Sequence, residues 1–177
     1  MPHFEKTLSS KEIFNGKVIR VCHDSVVLEN GKTSMREVVY HNGGVCILPL
    51  TDKGEVILVR QFRYPYKEEI WELPAGKLNA LEDPFECAVR ELKEEVGATA
   101  KSYTFLGTLY PSPGYCGEII TMYLARELEI SEQCLDEDEF LDTVYLPFDE
   151  AIKMVMDGKI PDSKTQTALL KAYMLLK

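Results

Sequence analysis

Six carboxylates fall between Glu82 and Glu95 (Glu82, Asp83, Glu86, Glu91, Glu94 and Glu95), against two cations, Arg90 and Lys93. Stability gives no reason for such crowding, because like charges one helical turn apart cost about 0.2–0.5 kcal/mol per pair. The plain alternative is a solvated acidic face, which is what many charge runs are. The chemical alternative is a divalent cation. Mg²⁺ takes oxygen ligands, keeps several of its waters and needs few protein carboxylates.

The element that must position these acids is a helix. Asp83 followed by Pro84 and Glu86 reads as an N-cap, a first-turn proline and an acid in the first turn. Phe85, Ala88, Val89, Leu92 and Val96 recur at helical spacing as one apolar stripe. Gly97 stands where a left-handed cap closes a helix. The spacing predicts a helix over 84–96, with Glu91 and Glu95 one turn apart and Glu94 close to the same face.

Gly76 precedes Glu82 by six positions, Glu82 precedes Arg90 by eight, and Glu91, Leu92, Glu94, Glu95 and Gly97 follow at fixed steps. This pattern resembles the Nudix box, filling every fixed position, with the small Ala98 in its last apolar place. The resemblance implies an α/β fold, an α/β/α sandwich with a mixed sheet. It also implies a metal-dependent hydrolase of nucleoside diphosphates linked to another moiety. The flanks are informative as well. Arg36-Glu37-Val38-Val39, Gln61-Phe62-Arg63-Tyr64-Pro65, Trp71-Glu72-Leu73-Pro74-Ala75-Gly76, Ser112-Pro113-Gly114 and the acidic run from Leu135 to Phe140 resemble the ADP-ribose pyrophosphatase subfamily. That likeness runs from about Lys11 onward. It implies hydrolysis of ADP-ribose to AMP and ribose 5-phosphate, with Mg²⁺ or alternatively Mn²⁺. It further implies a homodimer formed through a small N-terminal antiparallel β-sheet.

Site roles follow from the same resemblance. Glu91 and Glu95 are expected as metal ligands, Glu94 as a ligand directly or through a water, and the carbonyl oxygen of Ala75 as another. Arg90 would hold the glutamates in place, with Glu82 in a supporting role. The helix acids are committed to metal, so the base is sought in the acidic loop 131–139. There Glu137 matches the family's base and Glu139 a further ligand. Arg63 and Arg36 match substrate contacts, Arg36 serving the partner subunit's site, and Glu118 matches a substrate-contacting acid. Each of these three can equally be a surface ion pair. Phe4, Phe14 and Tyr40 are the rings available to stack on adenine, since the only tryptophan is Trp71. The runner-up activity is hydrolysis of another nucleoside diphosphate sugar, such as a GDP-hexose. A non-catalytic nucleotide sensor ranks lower, because all the box acids are present.

Length and composition are compatible with this. A chain of 177 residues with 45% hydrophobic content holds one ordinary domain with a real core. A net charge of −9 disfavours long nucleic acid as a partner. No apolar run of membrane-spanning length is present, and the first residues lack a signal-peptide pattern. Five cysteines without a CxxC pair read as reduced thiols in a cytoplasmic protein, not as disulfides or a zinc site.

The expected organisation is an N-terminal sheet and dimerisation region over 1–42 and a Nudix hydrolase domain over 43–177. Strands are expected at 17–21, 25–28 and 35–40, with a hairpin turn at Asn30-Gly31. Further strands are expected at 45–48, 56–59, 103–109, 119–124 and 143–146. Helices are expected at 148–156 and 163–176, the second capped by Asp162 or Ser163. Met154, Met156 and Met174 are expected as core filler.

Overall fold

A computed structural model describes residues 3–135 and 139–177. The chain divides into two compact units, one of residues up to Gly43 with Tyr110–Ile119, the other of Gly44–Leu109 with Ile120–Lys177.

The first unit is an antiparallel sheet of β1 (Lys6–Asn15), β2 (Arg20–Val27) and β3 (Thr33–Tyr40), in that order. The turn between β2 and β3 contains Asn30-Gly31, and Gly31 takes the left-handed φ of 78° that glycine tolerates. Segment 110–119 is stitched to β3, with the Val39 N–H donating to Tyr115 O at 2.8 Å and the Gly117 N–H to Val39 O at 2.9 Å. Two expectations need correction. Strand β2 runs unbroken through His23 and Asp24 instead of forming two short strands, because it is paired on both sides and its ladder carries the polar residues. Strand β1 was not expected at all. It is exposed along its whole length, so no alternation of buried and exposed residues marks it.

The second unit contains β4 (Gly44–Pro49), β5 (Glu55–Arg63), β6 (Glu68–Glu72), β7 (Ala75–Lys77), α1 (Pro84–Val96), β8 (Ala98–Leu109), β9 (Ile120–Ile130), β10 (Leu141–Pro147), α2 (Phe148–Met156) and α3 (Ser163–Leu176). One sheet has the order β7-β4-β9-β8, with β4 and β9 parallel, and the other has the antiparallel order β10-β5-β6. Alternation along β4 explains the layering. Cys46 and Leu48 point into a core shared with Ala151, Val155, Ala168 and Leu169 of α2 and α3. Val45 and Ile47 point into a second core with Ala88, Leu92 and Val96 of α1. Strand β4 is therefore buried on both faces, and the unit is an α/β/α sandwich with a mixed sheet.

The three helices among the described residues fall at the expected positions. Asp83 caps α1 by accepting from the Phe85 N–H, and Gly97 closes it at φ 67°. Asp162 caps α3 by accepting from the Thr165 N–H. Met154 packs against the core, but Met156 and Met174 lie on the surface, on the outward sides of α2 and α3. The five cysteines are free thiols, three of them buried. No helix among the described residues is long and apolar enough to cross a membrane.

Candidate active site

Helix α1 presents Glu91 and Glu95 toward β7. Glu91 and Glu95 are buried with Leu92 and Val96, at 7% and 3% exposure. Arg90 gathers the surrounding carboxylates. Its Nε donates to Glu82 at 2.9 Å, and its Nη1 donates to Glu91 at 2.7 Å and to Glu94 at 2.8 Å. Nη2 reaches Glu82 again at 3.2 Å. One guanidinium thus fixes three glutamates, the charge-assisted fork that this side chain suits. Its hydrogen bonds hold Glu82 low, at about 2, and raise Arg90 itself.

Two glutamates move the other way. Burial pushes Glu95 up to about 8; the Ala75 N–H, donating at 3.0 Å, opposes this, and the charges of Glu91 and Glu139 add to it. Burial also raises Glu91, against the pull of Arg90 and with the push of Glu94 and Glu139. These are two desolvated carboxylates whose negative charge the protein leaves undercompensated.

Gly76 explains how Glu91 lies so close to β7. A Cβ at this position would sit 1.8 Å from the carboxyl group of Glu91. Only a glycine lets the carboxylate rest on this backbone.

The loop after β9 is tied to the end of α1. The Ser131 Oγ donates to Gly97 O at 2.8 Å, the Gln133 side-chain amide donates to Glu95 O at 2.5 Å, and the Cys134 N–H donates to Glu94 O at 3.0 Å. On the far side of the loop, the charge of Glu139 reaches both Glu91 and Glu95. Glu137, the expected base, lies outside the described residues.

The expected substrate contacts are placed individually. The guanidinium of Arg63 grips the carboxylate of Glu72 in bidentate fashion, at 2.5 and 2.7 Å, and keeps about a third of its side chain (37%) in solvent. Its charge reaches Glu95. In the first unit Arg36 pairs with Glu5 and also donates to Ser34 Oγ and Met35 O. Glu118 lies 3.4 Å from His41. The rings of Phe4, Phe14 and Tyr40 are exposed, and Tyr40 already carries the guanidinium of Arg20 at 4.1 Å.

A group not anticipated from sequence adjoins the site. Glu72, at 1% exposure, is held by Arg63 on one side and Lys164 on the other, and Lys164 lies 3.0 Å from Asp162. Burial opposes the charge of Glu72, but Arg63 and Lys164 hold it below its ordinary value. The signal available was a single acid inside the apolar run Ile70-Trp71-Glu72-Leu73; a buried charge there requires partners.

The donor set can be tested against a divalent cation. Among the described residues no three His, Cys, Asp or Glu side chains form a ready-made metal cage. Mg²⁺ does not need one, because it binds through one or two carboxylates, waters and substrate phosphates. Two buried carboxylates with undercompensated charge, one of them accepting from the Ala75 N–H of the edge strand β7, fit that demand.

Residues 40–168 match the NUDIX domain, and residues 5–39 match the nucleoside diphosphate sugar hydrolase N-terminal domain. The chain belongs to the Nudix family and is an enzyme of its pyrophosphatase type. It is 45% identical to the ADP-ribose pyrophosphatase of Bacillus subtilis (strain 168), over 98% of this chain and 94% of that one. It is 42% identical to the methanol dehydrogenase activator of Bacillus methanolicus, over 93% and 90% of the two chains. The crystal structure of an ADP compounds hydrolase superposes with a TM-score of 0.87 at 25% identity, covering 97% of this chain and 94% of the other.

Proposed function

We propose that this chain hydrolyses ADP-ribose to AMP and ribose 5-phosphate in the cytoplasm, using Mg²⁺ or alternatively Mn²⁺. The observation that carries the reaction class is the buried pair Glu91 and Glu95, placed side by side with their charge undercompensated. The choice of ADP-ribose draws on the likeness to the Bacillus subtilis enzyme.

Glu91, Glu95 and the carbonyl oxygen of Ala75 would hold the cation, with Glu94 and Glu139 as further ligands. When bound, the cation neutralises phosphate charge and makes a water more acidic. Arg90 keeps Glu82, Glu91 and Glu94 in register. Glu137 takes the proton of the attacking water as its oxygen forms the new bond to phosphorus. The bridging bond to that phosphorus breaks, and its electron pair leaves with the departing phosphate. Arg63 and Glu118 contact the substrate, and Arg36 does so across a homodimer built through the N-terminal sheet. On this reading residues 1–42 form the dimerisation region and 43–177 the hydrolase domain. The matches to two family models over 5–39 and 40–168 support that division.

The test is turnover of a panel by the purified protein with Mg²⁺, products separated by chromatography. The panel contains ADP-ribose, GDP-mannose and a diadenosine polyphosphate. ADP-ribose is expected to give AMP and ribose 5-phosphate with the highest kcat/KM. Turnover of GDP-mannose with ADP-ribose untouched would sink the substrate assignment.

A further inference from the structure

The first turn of α3 grips the segment that leads into Gly76. The N–H of the fully buried Leu73 donates to Thr165 Oγ1 at 2.8 Å, and that hydroxyl donates to Asp162 Oδ2 at 2.6 Å. Lys164 ties Asp162 to Glu72, the residue before Leu73. Past Leu73, the Pro74 carbonyl accepts from the Ile47 N–H at 2.9 Å, and the Ala75 N–H donates to Glu95. The segment 72–75 is therefore fixed by α3 at one end and by the acid of α1 at the other.

Four buried or half-buried charges (Arg63, Glu72, Asp162 and Lys164) are weak evidence for stability, because apolar packing of similar volume does as well or better. Such a group is better suited to fixing register. Here the register is that of Ala75, whose N–H holds Glu95 and whose carbonyl belongs to the proposed site.

We propose that Asp162, Lys164 and Thr165 are positioning residues for the cation site, setting the place of Ala75 through Leu73 and Glu72. This rests on the reading of Ala75, Glu91 and Glu95 as that site.

Mn²⁺ binding without substrate, read from the electron paramagnetic resonance signal of free Mn²⁺, gives a test independent of turnover. Thr165→Val keeps the volume and removes the hydroxyl. It is expected to weaken Mn²⁺ binding about tenfold, the scale set by lost outer-sphere partners. The Mg²⁺ concentration for half-maximal activity should rise by a similar factor, with KM for ADP-ribose at saturating Mg²⁺ little changed. Thr165→Ser should restore both. Wild-type Mn²⁺ affinity in folded Thr165→Val overturns the proposal. Should that variant fail to fold, Asp162→Asn decides by the same titration: weakened binding supports the proposal and unchanged binding overturns it. A wild-type protein that binds no Mn²⁺ either alone or with a non-hydrolysable ADP-ribose analogue overturns the underlying site reading, and this one with it.

Discussion

Glu95 enters the core beside Glu91 and Glu139, and burial is the larger reason its carboxyl is pushed up to about 8. A carboxyl raised above its unfolded value binds its proton more tightly in the folded chain. Its contribution to stability is fully present below the ordinary value of 4.5 and is lost as pH rises through about 8. Within that window one such group is worth at most about 1.4 kcal/mol per pH unit. Glu91 is shifted in the same direction and adds to the trend. With chelator present, the wild-type melting temperature is therefore expected to fall from pH 5 to pH 8 relative to Glu95→Gln (the two pH values being roughly the edges of the window). The variant's amide carries no charge to desolvate. Mg²⁺ should raise the wild-type melting temperature most at the alkaline end and leave the variant nearly unmoved. The same variant should lose turnover by at least the roughly 100-fold that even outer-sphere changes can cause. Parallel melting curves for the two proteins across this range would show that Glu95 is not the strained carboxyl.

At the scale of elements, α1 and β7 work as one device, and Gly76 is where they meet. A methyl group there competes with the carboxyl of Glu91, which is the free end of a side chain and must leave its seat beside β7 and Arg90. Gly76→Ala should therefore weaken Mg²⁺ activation about 100-fold or more while changing stability by less than about 1 kcal/mol. Asp83→Ala is the converse, a lost cap costing about 1 kcal/mol of stability with turnover intact. Thermal melts and Mg²⁺ titrations on the two variants separate these effects. Helix α1 was legible in the sequence because its cap, its stripe and its closing glycine all state the same thing. The box acids were legible because their spacing is local. Strands β6 and β7 were not, since they are short and Pro74 stands between them. The tie between Glu72 and Lys164 was not legible either, because 92 residues separate them and only the fold brings them together. For the same reason, the pairing of Arg63 with Glu72 depends on the register of β5 against β6, which no motif encodes.

For the molecule as a whole, the N-terminal sheet poses the remaining question. Strand β1 pairs with β2 alone among the described strands, and Leu8, Ile13 and Phe14 along it are exposed. An open edge with apolar side chains is a surface that proteins normally cover. A second copy of the chain covers it in the proposed dimer, and Arg36 then serves the partner's site. Mixing subunits tests this directly. Glu95→Gln dimers should be inactive and Arg36→Ala dimers weak. In a mixed dimer, the Arg36→Ala subunit keeps its own Glu95 and receives Arg36 from its companion, so one site is whole. After random exchange of equal amounts, roughly a quarter of all sites should work, because half of the dimers are mixed and each holds one intact site. Activity of the mixture well above the mean of the two separate variants is the expected outcome. If Arg36 acts within its own subunit, no site in the mixed dimer combines both residues, and exchange recovers nothing.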